Sequence, residues 1–478
     1  MNQHYDAIVV GGGPGGLAVG SLLSKRGLRT AVLEKAPWLG GRFRSIRFAG
    51  CRVDNGVHLL TGHVKRKEET FCKRVFDKVG LPLKQKDVHW TMGLVGKEGS
   101  GGIEFFTMDR TKGVQSFFEF FAFGANMEMP DPEKEDFRKL FEHLAALSLE
   151  ERRSMVNVSW EDWLERNCGN PIVITILSVE AQLLGMTSDR LNAGSKASNF
   201  HLFTESGAVP FWYPAEGTLE DAIIQPFARF IEERGGKILA NWTARKVMME
   251  GDRVTGVWAR ENPTDILHEL RAPVVVTAMP LYFAVGPGRL LPREIFPETW
   301  LDAMQVGASL SDEDLTGLYL LNRKVIPDDY YGWIHLFEAS AGGMATYVGD
   351  WLKGDFVNAA VPQGKQLVST FITANNLTAP FGMDSSRDAV RKAMEAWEQA
   401  MEKAFPGFLR SIEQKALTLQ LNWGRHPWGI VREEIDVKCP NVKGLYLAGD
   451  SVRNVASLAS DKVFEIAMLC EEAIAADL

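Results

Sequence analysis

The stretch from His4 to Arg42 constrains the fold of this chain more than any other part of its sequence. Ala7 to Val10 is a short apolar run rich in β-branched residues, which is typical of a strand buried on both faces. A turn with the pattern G-x-G-x-x-G follows directly, at Gly11, Gly13 and Gly16. In such a turn the first glycine allows a tight bend, the second lets a pyrophosphate approach the backbone, and the third lets helix pack on strand. The sequence therefore predicts the start of a nucleotide-binding β-α-β unit.

An acidic residue closes this unit. Leu17 to Lys25 is predicted to form a helix whose N-terminal amides and dipole face the phosphates. Thr30 to Leu33 is predicted as a second strand, and it leads into Glu34. The Glu34 carboxylate can accept hydrogen bonds from ribose hydroxyls, and it would repel a 2′-phosphate. Glycine patterns alone occur in many loops, but strand, glycines, helix, second strand and carboxylate together favour a dinucleotide.

Composition excludes several other classes of protein. The chain has 478 residues, 45% of them hydrophobic and 24% charged, and its formal net charge is −8. This length favours two domains, and an acidic chain without a Lys or Arg block is not expected to bind nucleic acid. The five cysteines lack C-x-x-C spacing, which suggests a reducing compartment and no structural zinc. The sequence shows no signal peptide and no apolar run of about 18 residues, so we expect a cytoplasmic location.

Nucleotide-domain patterns recur in separate parts of the chain. Pro273 to Ala278 reads as another buried strand, and Gly444 to Gly449 reads as a strand that ends in Gly-Asp. We therefore predict an α/β fold with a discontinuous Rossmann-like domain and a second, α+β domain for the substrate. The Rossmann-like domain is expected at residues 1–88, 211–284 and 433–478, and the substrate domain at residues 89–210 and 285–432.

In the order and spacing of its motifs, the chain resembles the superfamily of flavin-dependent amine oxidases and phytoene desaturases. The motifs that carry the resemblance are Val9 to Leu17 with Glu34, Leu39 to Arg42, Val53 to Gly56, Glu216 to Leu219 with Gly235-Gly236, Val247, and Gly444 to Asp450. The resemblance implies that the Rossmann-like domain binds FAD. The regions from about 90 to 210 and from about 285 to 430 carry no motif that assigns a subfamily.

The resemblance also implies which residues hold FAD. Glu34 would bind the adenosine ribose, while the Val247 backbone and Ala278 would lie near the adenine. Gly41 and Arg42 would reach the pyrophosphate and ribityl chain. The expected cofactor-binding residues are Gly11, Gly13, Gly16, Glu34, Lys35, Gly41, Arg42, Gly56, Val57, His58, Val247, Ala278, Gly449, Asp450, Ser460 and Val463.

The isoalloxazine end of the cofactor is implied in the same way. Gly56, Val57 and His58 would run along the ring, and Gly449 and Asp450 would hold the ribityl and phosphate region. A helix that begins near Ser460 would direct its N-terminal dipole at the N1/C2 carbonyl side, where reduction places negative charge.

The turn before this last helix departs from the family pattern. Residues 451–463 contain no glycine, whereas typical carotenoid desaturases show Pro-Gly-Gly there. Ala459 stands where amine oxidases tend to carry an aromatic wall of the cage around the substrate nitrogen. No cysteine is offered nearby for covalent attachment, so the flavin is expected to be noncovalent. Lys462 is unusual at this place, either as a solvated helix charge or as a cation that stabilises anionic reduced flavin.

Aromatic clusters leave two interpretations open. Phe117 to Phe123, Phe211 to Tyr213 and residues 423–428 can line an apolar pocket or form ordinary core, and core is favoured for the phenylalanine run. His58 and His426 are the titratable groups expected nearest the ring, because histidine exchanges protons near neutral pH. A structural histidine explains each equally well, so no catalytic residue is assigned.

These expectations predict an FAD-dependent oxidoreductase that acts on a small apolar or lipid-like substrate, by carbon–carbon desaturation, saturation or isomerisation. The alternatives are a flavin amine oxidase and a flavin-bearing subunit of a larger redox complex. A redox protein or NAD(P) as partner and a peripheral contact with a membrane stay open, and the sequence does not indicate the oligomeric state.

Overall fold

A computed structural model describes most of the chain. The described residues are 3–57, 60–61, 70–87, 90–95, 104–107, 119, 131–183, 188–189, 191–206, 211–286, 288–309, 314–327, 332–338, 345–350, 361–373, 387–420, 435–452, 455–457 and 459–478.

The described strands are β1 (Gln3–His4), β2 (Ala7–Val10), β3 (Thr30–Glu34), β4 (Ser45–Phe48), β5 (Cys51–Asp54), β6 (Leu60–Thr61), β7 (Gln85–Asp87), β8 (Trp90–Val95), β9 (Glu104–Thr107), β10 (Phe211–Pro214), β11 (Lys237–Ala240), β12 (Trp242–Glu250), β13 (Arg253–Glu261), β14 (Ile266–Arg271), β15 (Val274–Thr277), β16 (Asp314–Leu321), β17 (Gly332–Glu338), β18 (Ala345–Asp350), β19 (Gln366–Thr373), β20 (Ile412–Gln420) and β21 (Leu445–Leu447).

The described α-helices are α1 (Pro14–Lys25), α2 (Phe71–Val79), α3 (Asp131–Ala146), α4 (Leu149–Ser154), α5 (Trp160–Asn167), α6 (Pro171–Leu183), α7 (Ala193–Ser206), α8 (Gln225–Glu233), α9 (Leu281–Ala284), α10 (Glu298–Ser309), α11 (Arg387–Ala404), α12 (Phe408–Ser411) and α13 (Lys462–Asp477).

A parallel sheet carries the N-terminal motif. Its described strands lie in the order β11-β3-β2-β15-β21, and each neighbouring pair is parallel. All residues of β2 and β15 are buried, as expected for strands covered on both faces. The crossover from β2 to β3 runs through α1, which packs against α8 and α13. The carboxyl ends of the parallel strands therefore meet at one edge, where an open α/β sheet binds its ligands.

Smaller sheets surround this one. The sheet β1-β14-β13-β12 contains an antiparallel hairpin of β12 and β13, and β14 pairs with the other side of β13. A short sheet joins β6, β10 and β7, and β4 pairs with β5 as a hairpin. The sheet β1-β14-β13-β12 and the strands β6 and β10 share one large apolar core with the parallel sheet, whereas the β4–β5 hairpin packs in a separate cluster.

A larger mixed sheet forms the other half of the fold. Its described strands lie in the order β20-β16-β19-β18-β17-β8-β9, and β17 pairs with β8 in parallel while the other pairs are antiparallel. The helix α11 covers one face through Trp397, which packs against Tyr319 and Phe408. In a second, smaller core cluster, Leu318 packs against Cys51, so β16 lies beside the β4–β5 hairpin.

The predicted α/β class, with a parallel-sheet Rossmann-like part, is confirmed. The residue boundaries of the two predicted domains stay predictions. In the region expected to begin the substrate domain, α6 and α7 are both longer than three turns. No helix among the described residues is long and apolar enough to span a bilayer.

Candidate nucleotide-binding site

The glycine turn after β2 has a backbone that other residues cannot reproduce. Gly11 has a φ of +119°, in the region that favours glycine. A Cβ added at Gly16 would lie 2.0 Å from the carbonyl oxygen of Gly11, so helix and turn touch backbone to backbone. A Cβ added at Gly13 would meet no described atom within 4 Å, so this side of the turn is open.

The start of α1 supplies the donors that a pyrophosphate requires. Its N-cap is Gly13, which has no side chain to cap the first turn, and Pro14 occupies the first helical position. The amides of Gly15 and Gly16 are therefore left to other acceptors, and the helix dipole favours an anion here. Together with the open side of Gly13, this turn fits a dinucleotide pyrophosphate.

Glu34 lies at the end of β3 with its carboxylate held by the main chain. One oxygen, Oε2, accepts a hydrogen bond from the Gly12 amide at 2.9 Å, and Oε1 accepts one from the Ala36 amide at 2.9 Å. Each carboxylate oxygen has a second lone pair for a ribose hydroxyl. The sequence places Glu34 at this end of the nucleotide, and the structure orients its carboxylate toward the glycine turn.

The turn after Glu34 is fixed by an asparagine that the sequence analysis did not single out. The Asn262 side-chain amide donates to the Lys35 carbonyl at 2.9 Å, and Thr243 Oγ1 donates to Asn262 Oδ1 at 2.8 Å. The Asn241 amide donates to the Ala36 carbonyl at 2.8 Å. The Lys35 side chain is exposed, so this residue meets its neighbours through its backbone.

A second glycine pair brings an arginine to the other side of the turn. Gly40 and Gly41 both have positive φ, and the Gly40 amide donates to the Gly12 carbonyl at 2.8 Å. The Arg42 guanidinium then pairs with the Asp450 carboxylate, which is buried. Two residues that the resemblance assigns to one end of the cofactor are thus in direct contact.

The segment that follows β5 runs beside this arginine. The Val57 amide donates to the Arg42 carbonyl at 2.9 Å, and the Asn55 amide donates to the Arg44 carbonyl at 3.0 Å. The Asn55 side chain also accepts a hydrogen bond from Thr418 Oγ1 at 2.7 Å, which joins it to β20. Gly56 is buried. The large mixed sheet is therefore attached to the segment predicted to follow the flavin ring.

Residues from the C-terminal part complete the arrangement. Val463 lies against Gly15, since a Cβ at Gly15 would be 3.6 Å from the Val463 Cβ and 3.7 Å from the Gly449 Cα. Gly449 has a φ of +93°, and a Cβ there would lie 3.8 Å from Ala278. Gly449 and Val463 therefore border the start of α1, beyond the end of β15.

The turn before α13 is fastened on two sides. Ser460 Oγ accepts a hydrogen bond from the Thr61 amide at 3.1 Å. The Asp461 carboxylate accepts hydrogen bonds from the Phe71 and Cys72 amides at 2.9 and 2.8 Å, at the start of α2. The predicted helix start near Ser460 corresponds to a 3₁₀ turn, Ala459–Asp461, and α13 begins at Lys462.

Two of the predicted cofactor-binding residues already use their backbone amides in hydrogen bonds within the protein. The Val247 amide, expected near the adenine, donates to the Leu290 carbonyl at 3.0 Å, so it already has a partner. The Ala278 amide likewise donates to the Val10 carbonyl at 2.8 Å, at the sheet edge. His58 lies outside the described residues.

Lys462 is buried, which contradicts one of the two interpretations of this residue. One of the two interpretations made it a solvated helix charge, but its side chain is 1% exposed. The entire first turn of α13 is buried between neighbouring elements, which explains why a lysine there has no access to solvent.

The aromatic clusters have different outcomes. Trp212 and Tyr213 are buried and hydrogen-bonded, with Trp212 Nε1 donating to the Thr61 carbonyl at 3.2 Å and the Tyr213 hydroxyl donating to Asp54. Residues 117–123, apart from Glu119, and residues 423–428 with His426 lie outside the described residues.

Asp54 is a further residue that sequence reasoning missed. Besides Tyr213, its carboxylate accepts from Ser45 Oγ at 3.2 Å and the Leu219 amide at 3.1 Å. Burial raises its pKa to about 7, although these hydrogen bonds act to lower it and the nearby Asp221 charge raises it further. The sequence included Asp54 in the Val53 to Gly56 motif but did not indicate these contacts, because an aspartate before Asn-Gly also occurs in ordinary turns.

Comparison with known proteins fits this arrangement. Residues 9–75 match the model of the NAD(P)-binding Rossmann-like domain. A stretch of 75 residues is 47% identical to the 4,4′-diapophytoene desaturase (4,4′-diapolycopene-forming) of Methylomonas sp, and it covers 16% of this chain and 15% of the desaturase.

Residues 9–75 therefore carry a Rossmann-like nucleotide-binding domain. The predicted resemblance is confirmed, in sequence over the 75-residue stretch for a phytoene desaturase-type enzyme and in fold for amine oxidases.

Solved structures extend the similarity of fold to the whole chain. An oxidoreductase from Methanosarcina mazei has a TM-score of 0.70 at 16% identity, covering 98% of this chain and 99% of the other. Cyclohexylamine oxidase from Brevibacterium oxydans has a TM-score of 0.62 at 14% identity, covering 99% of each chain. At these identities the similarity concerns the fold.

Proposed function

We propose that the protein is an FAD-dependent oxidoreductase that acts on a largely apolar substrate, by carbon–carbon desaturation, saturation or isomerisation. The observation that carries this proposal is the 75-residue stretch that is 47% identical to the diapophytoene desaturase. Because the stretch covers only 15% of that desaturase, the similarity supports a class of reaction and does not identify the substrate.

The described residues support FAD as the nucleotide. The open side of Gly13 and the uncapped start of α1 would receive the pyrophosphate, and the Glu34 carboxylate would bind the adenosine ribose. Because the first β-α-β unit takes the adenosine half, the other half would extend toward Gly449 and Asp450. The noncovalent attachment proposed here follows from the absence of a suitable cysteine in residues 451–463.

The remaining proposed contacts belong to the flavin half. Arg42, held by Asp450, would offset phosphate charge, and Gly56 with Val57 would lie along the ring. Ser460 and Val463 would present the start of α13 to the same region. Bound flavin would supply the hydride or electron transfer, while these residues would orient it and exclude water.

The proposal is tested on purified protein reconstituted with FAD. Acid-released flavin should be FAD, and anaerobic mixing with apolar polyenes should bleach its visible absorbance, with a desaturated or isomerised product recovered. Primary amines serve as the comparison substrates. A protein that takes up no flavin, or whose flavin is bleached only by amines, would contradict the proposal.

A further inference from the structure

Two neighbouring residues of β10 hold the two ends of one short segment. Trp212 Nε1 donates to the Thr61 carbonyl at 3.2 Å, and the Tyr213 hydroxyl donates to Asp54. The side chains of Trp212 and Tyr213 are 0% and 4% exposed, so both contacts are shielded from water. Asp54 and Thr61, the two ends of this segment, are therefore both held by the strand β10.

Backbone pairing reinforces one of these contacts. Strand β10 pairs with β6, with Phe211 opposite Thr61 and Trp212 opposite Leu60. The Thr61 amide points instead to Ser460 Oγ at 3.1 Å. This end of the segment is thus fixed between β10 and the turn before α13.

The other end is fixed through a carboxylate. Asp54 accepts hydrogen bonds from Tyr213, from Ser45 Oγ at 3.2 Å and from the Leu219 amide at 3.1 Å. Three donors from three separate elements converge on one buried side chain. Loss of one donor leaves the other two in place, so a variant at Tyr213 is expected to fold.

Between these two ends, Val57 lies on the flavin half of the proposed nucleotide site. The Val57 amide binds the carbonyl of Arg42, whose guanidinium pairs with Asp450. Glu34, by contrast, lies across the glycine turn at the adenosine end. A shift of the segment should therefore reach the flavin ring and leave the adenosine contacts unchanged.

We propose that Trp212 and Tyr213 are positioning residues that fix residues 54–57 and 60–61 and thereby the environment of the flavin ring. This inference rests on the proposed FAD function. The strand β10 acts through hydrogen bonds to Thr61 and Asp54, at the two ends of the segment, and needs no direct contact with the cofactor.

The test compares Tyr213→Phe and Trp212→Phe with the wild-type holoprotein. Each variant removes one hydrogen-bond donor and keeps an aromatic ring. We expect FAD affinity to fall about threefold to tenfold, as for the loss of one buried hydrogen bond. The visible absorbance and midpoint potential of the flavin should shift in both variants, while the affinity of the apoprotein for ADP should change less than twofold.

A matched control separates positioning from general stability. Tyr319 is also fully buried and donates a hydrogen bond to a carboxylate, Glu398 Oε1, at 3.0 Å. It belongs to the core cluster under α11, which includes none of the described residues of the 54–61 segment. Tyr319→Phe should lower the melting temperature as Tyr213→Phe does and leave the flavin spectrum and potential unchanged.

The possible outcomes are distinct. If the wild type binds flavin and both β10 variants keep its spectrum and potential, the positioning role is wrong although the proposed function stands. If Tyr319→Phe shifts the flavin as much as Tyr213→Phe, the effect is general and the inference is overturned. A wild type that binds ADP but no flavin would overturn the proposed function together with this inference.

Discussion

The two ends of the candidate site are built from different kinds of contact. At the adenosine end, the Glu34 carboxylate binds the main-chain amides of Gly12 and Ala36, which are 22 and 2 residues away in sequence. At the flavin end, side chains join distant parts of the chain, as Arg42 does with Asp450 over 408 residues and Thr418 with Asn55 over 363.

This difference indicates how substitutions at each end should affect binding of the cofactor. Main-chain donors keep their geometry when side chains change, so the adenosine end depends mainly on glycine positions and one carboxylate. The flavin end depends on how separate elements pack together, so substitutions there can alter the ring environment without abolishing nucleotide binding. The predictions below test this separation, starting with the change that should affect both ends.

The largest effect is expected from Gly16→Ala. The added Cβ would lie 2.0 Å from the Gly11 carbonyl oxygen, and neither backbone can yield without moving α1 from β2. We expect a loss of about 3 kcal/mol or more in the free energy of unfolding, as for severe overpacking. Because the contacts at both ends of the site would be disturbed, FAD binding should be lost. Chemical denaturation and flavin content measure the two effects.

Gly13→Ala is the matched control for that variant. Its Cβ would meet no described atom within 4 Å, and its φ of −79° suits alanine. The variant should fold with nearly wild-type stability, but its methyl group would stand in the proposed pyrophosphate path. Equal stability losses in both variants, or unchanged FAD binding in Gly13→Ala, would contradict this account of the turn.

The second prediction concerns the pH dependence of the flavin end. Because burial raises the pKa of Asp54 to about 7, the folded state favours the neutral acid. Its stabilising contribution is full below the unfolded pKa of about 3.9 and is lost as pH rises to about 7, amounting to about 4 kcal/mol at most. The free energy of unfolding should therefore fall with pH more steeply in the wild type than in Asp54→Asn.

Denaturation at several pH values between 4 and 8 checks this difference. Parallel curves for wild type and Asp54→Asn would show that the carboxyl titrates normally in the folded protein. At fixed pH, ADP affinity should be the same in both proteins, since Asp54 and Glu34 bind different sets of residues.

The third prediction isolates the adenosine end. Glu34→Gln removes the charge and replaces one acceptor oxygen with a donor, so one of the two main-chain amides loses its partner. ADP and FAD should bind about 10- to 100-fold more weakly, as for a lost hydrogen bond to a charged group, and bound flavin should keep its spectrum. Titration calorimetry measures both affinities, with the exposed Glu233→Gln as control. A changed spectrum at unchanged ADP affinity would reverse the assignment of the two ends.

The smallest effect is expected from Asn262→Ala. This substitution frees the Lys35 carbonyl and loosens the turn that presents Ala36 to Glu34. ADP affinity should fall about threefold to tenfold, since one positioning hydrogen bond is lost. Asn167→Ala removes a comparable side-chain donor, bound to the Trp163 carbonyl at 2.7 Å, and should leave ADP binding unchanged. An equal effect from both variants would remove Asn262 from the site.

The sequence predicted the adenosine end, which is built from residues close together in the chain, better than the parts that depend on distant contacts. The strand β2, the glycine turn and Glu34 lie in one short stretch, and local pattern was sufficient to place them. Asn262 could not be found in this way, because its contact with Lys35 joins positions 227 residues apart. The large sheet was not predicted, since β17 pairs in parallel with β8 from a distant part of the chain. Burial of Lys462 likewise depends on tertiary packing that residue type alone does not indicate.

The order of strands in the parallel sheet has a consequence for how the protein acquires its structure during synthesis. Strand β15 pairs with β2 on one side and with β21 on the other, and β21 is made only after the whole large sheet. Until residues 445–447 leave the ribosome, the edge of β15 that pairs with β21 has no partner, and α1 lacks its packing against α13. The nascent chain thus presents an open strand edge for the time needed to make some 170 residues, roughly 10 to 30 s at ordinary translation rates. The nucleotide motif emerges first, yet it is among the last parts of the molecule to be enclosed.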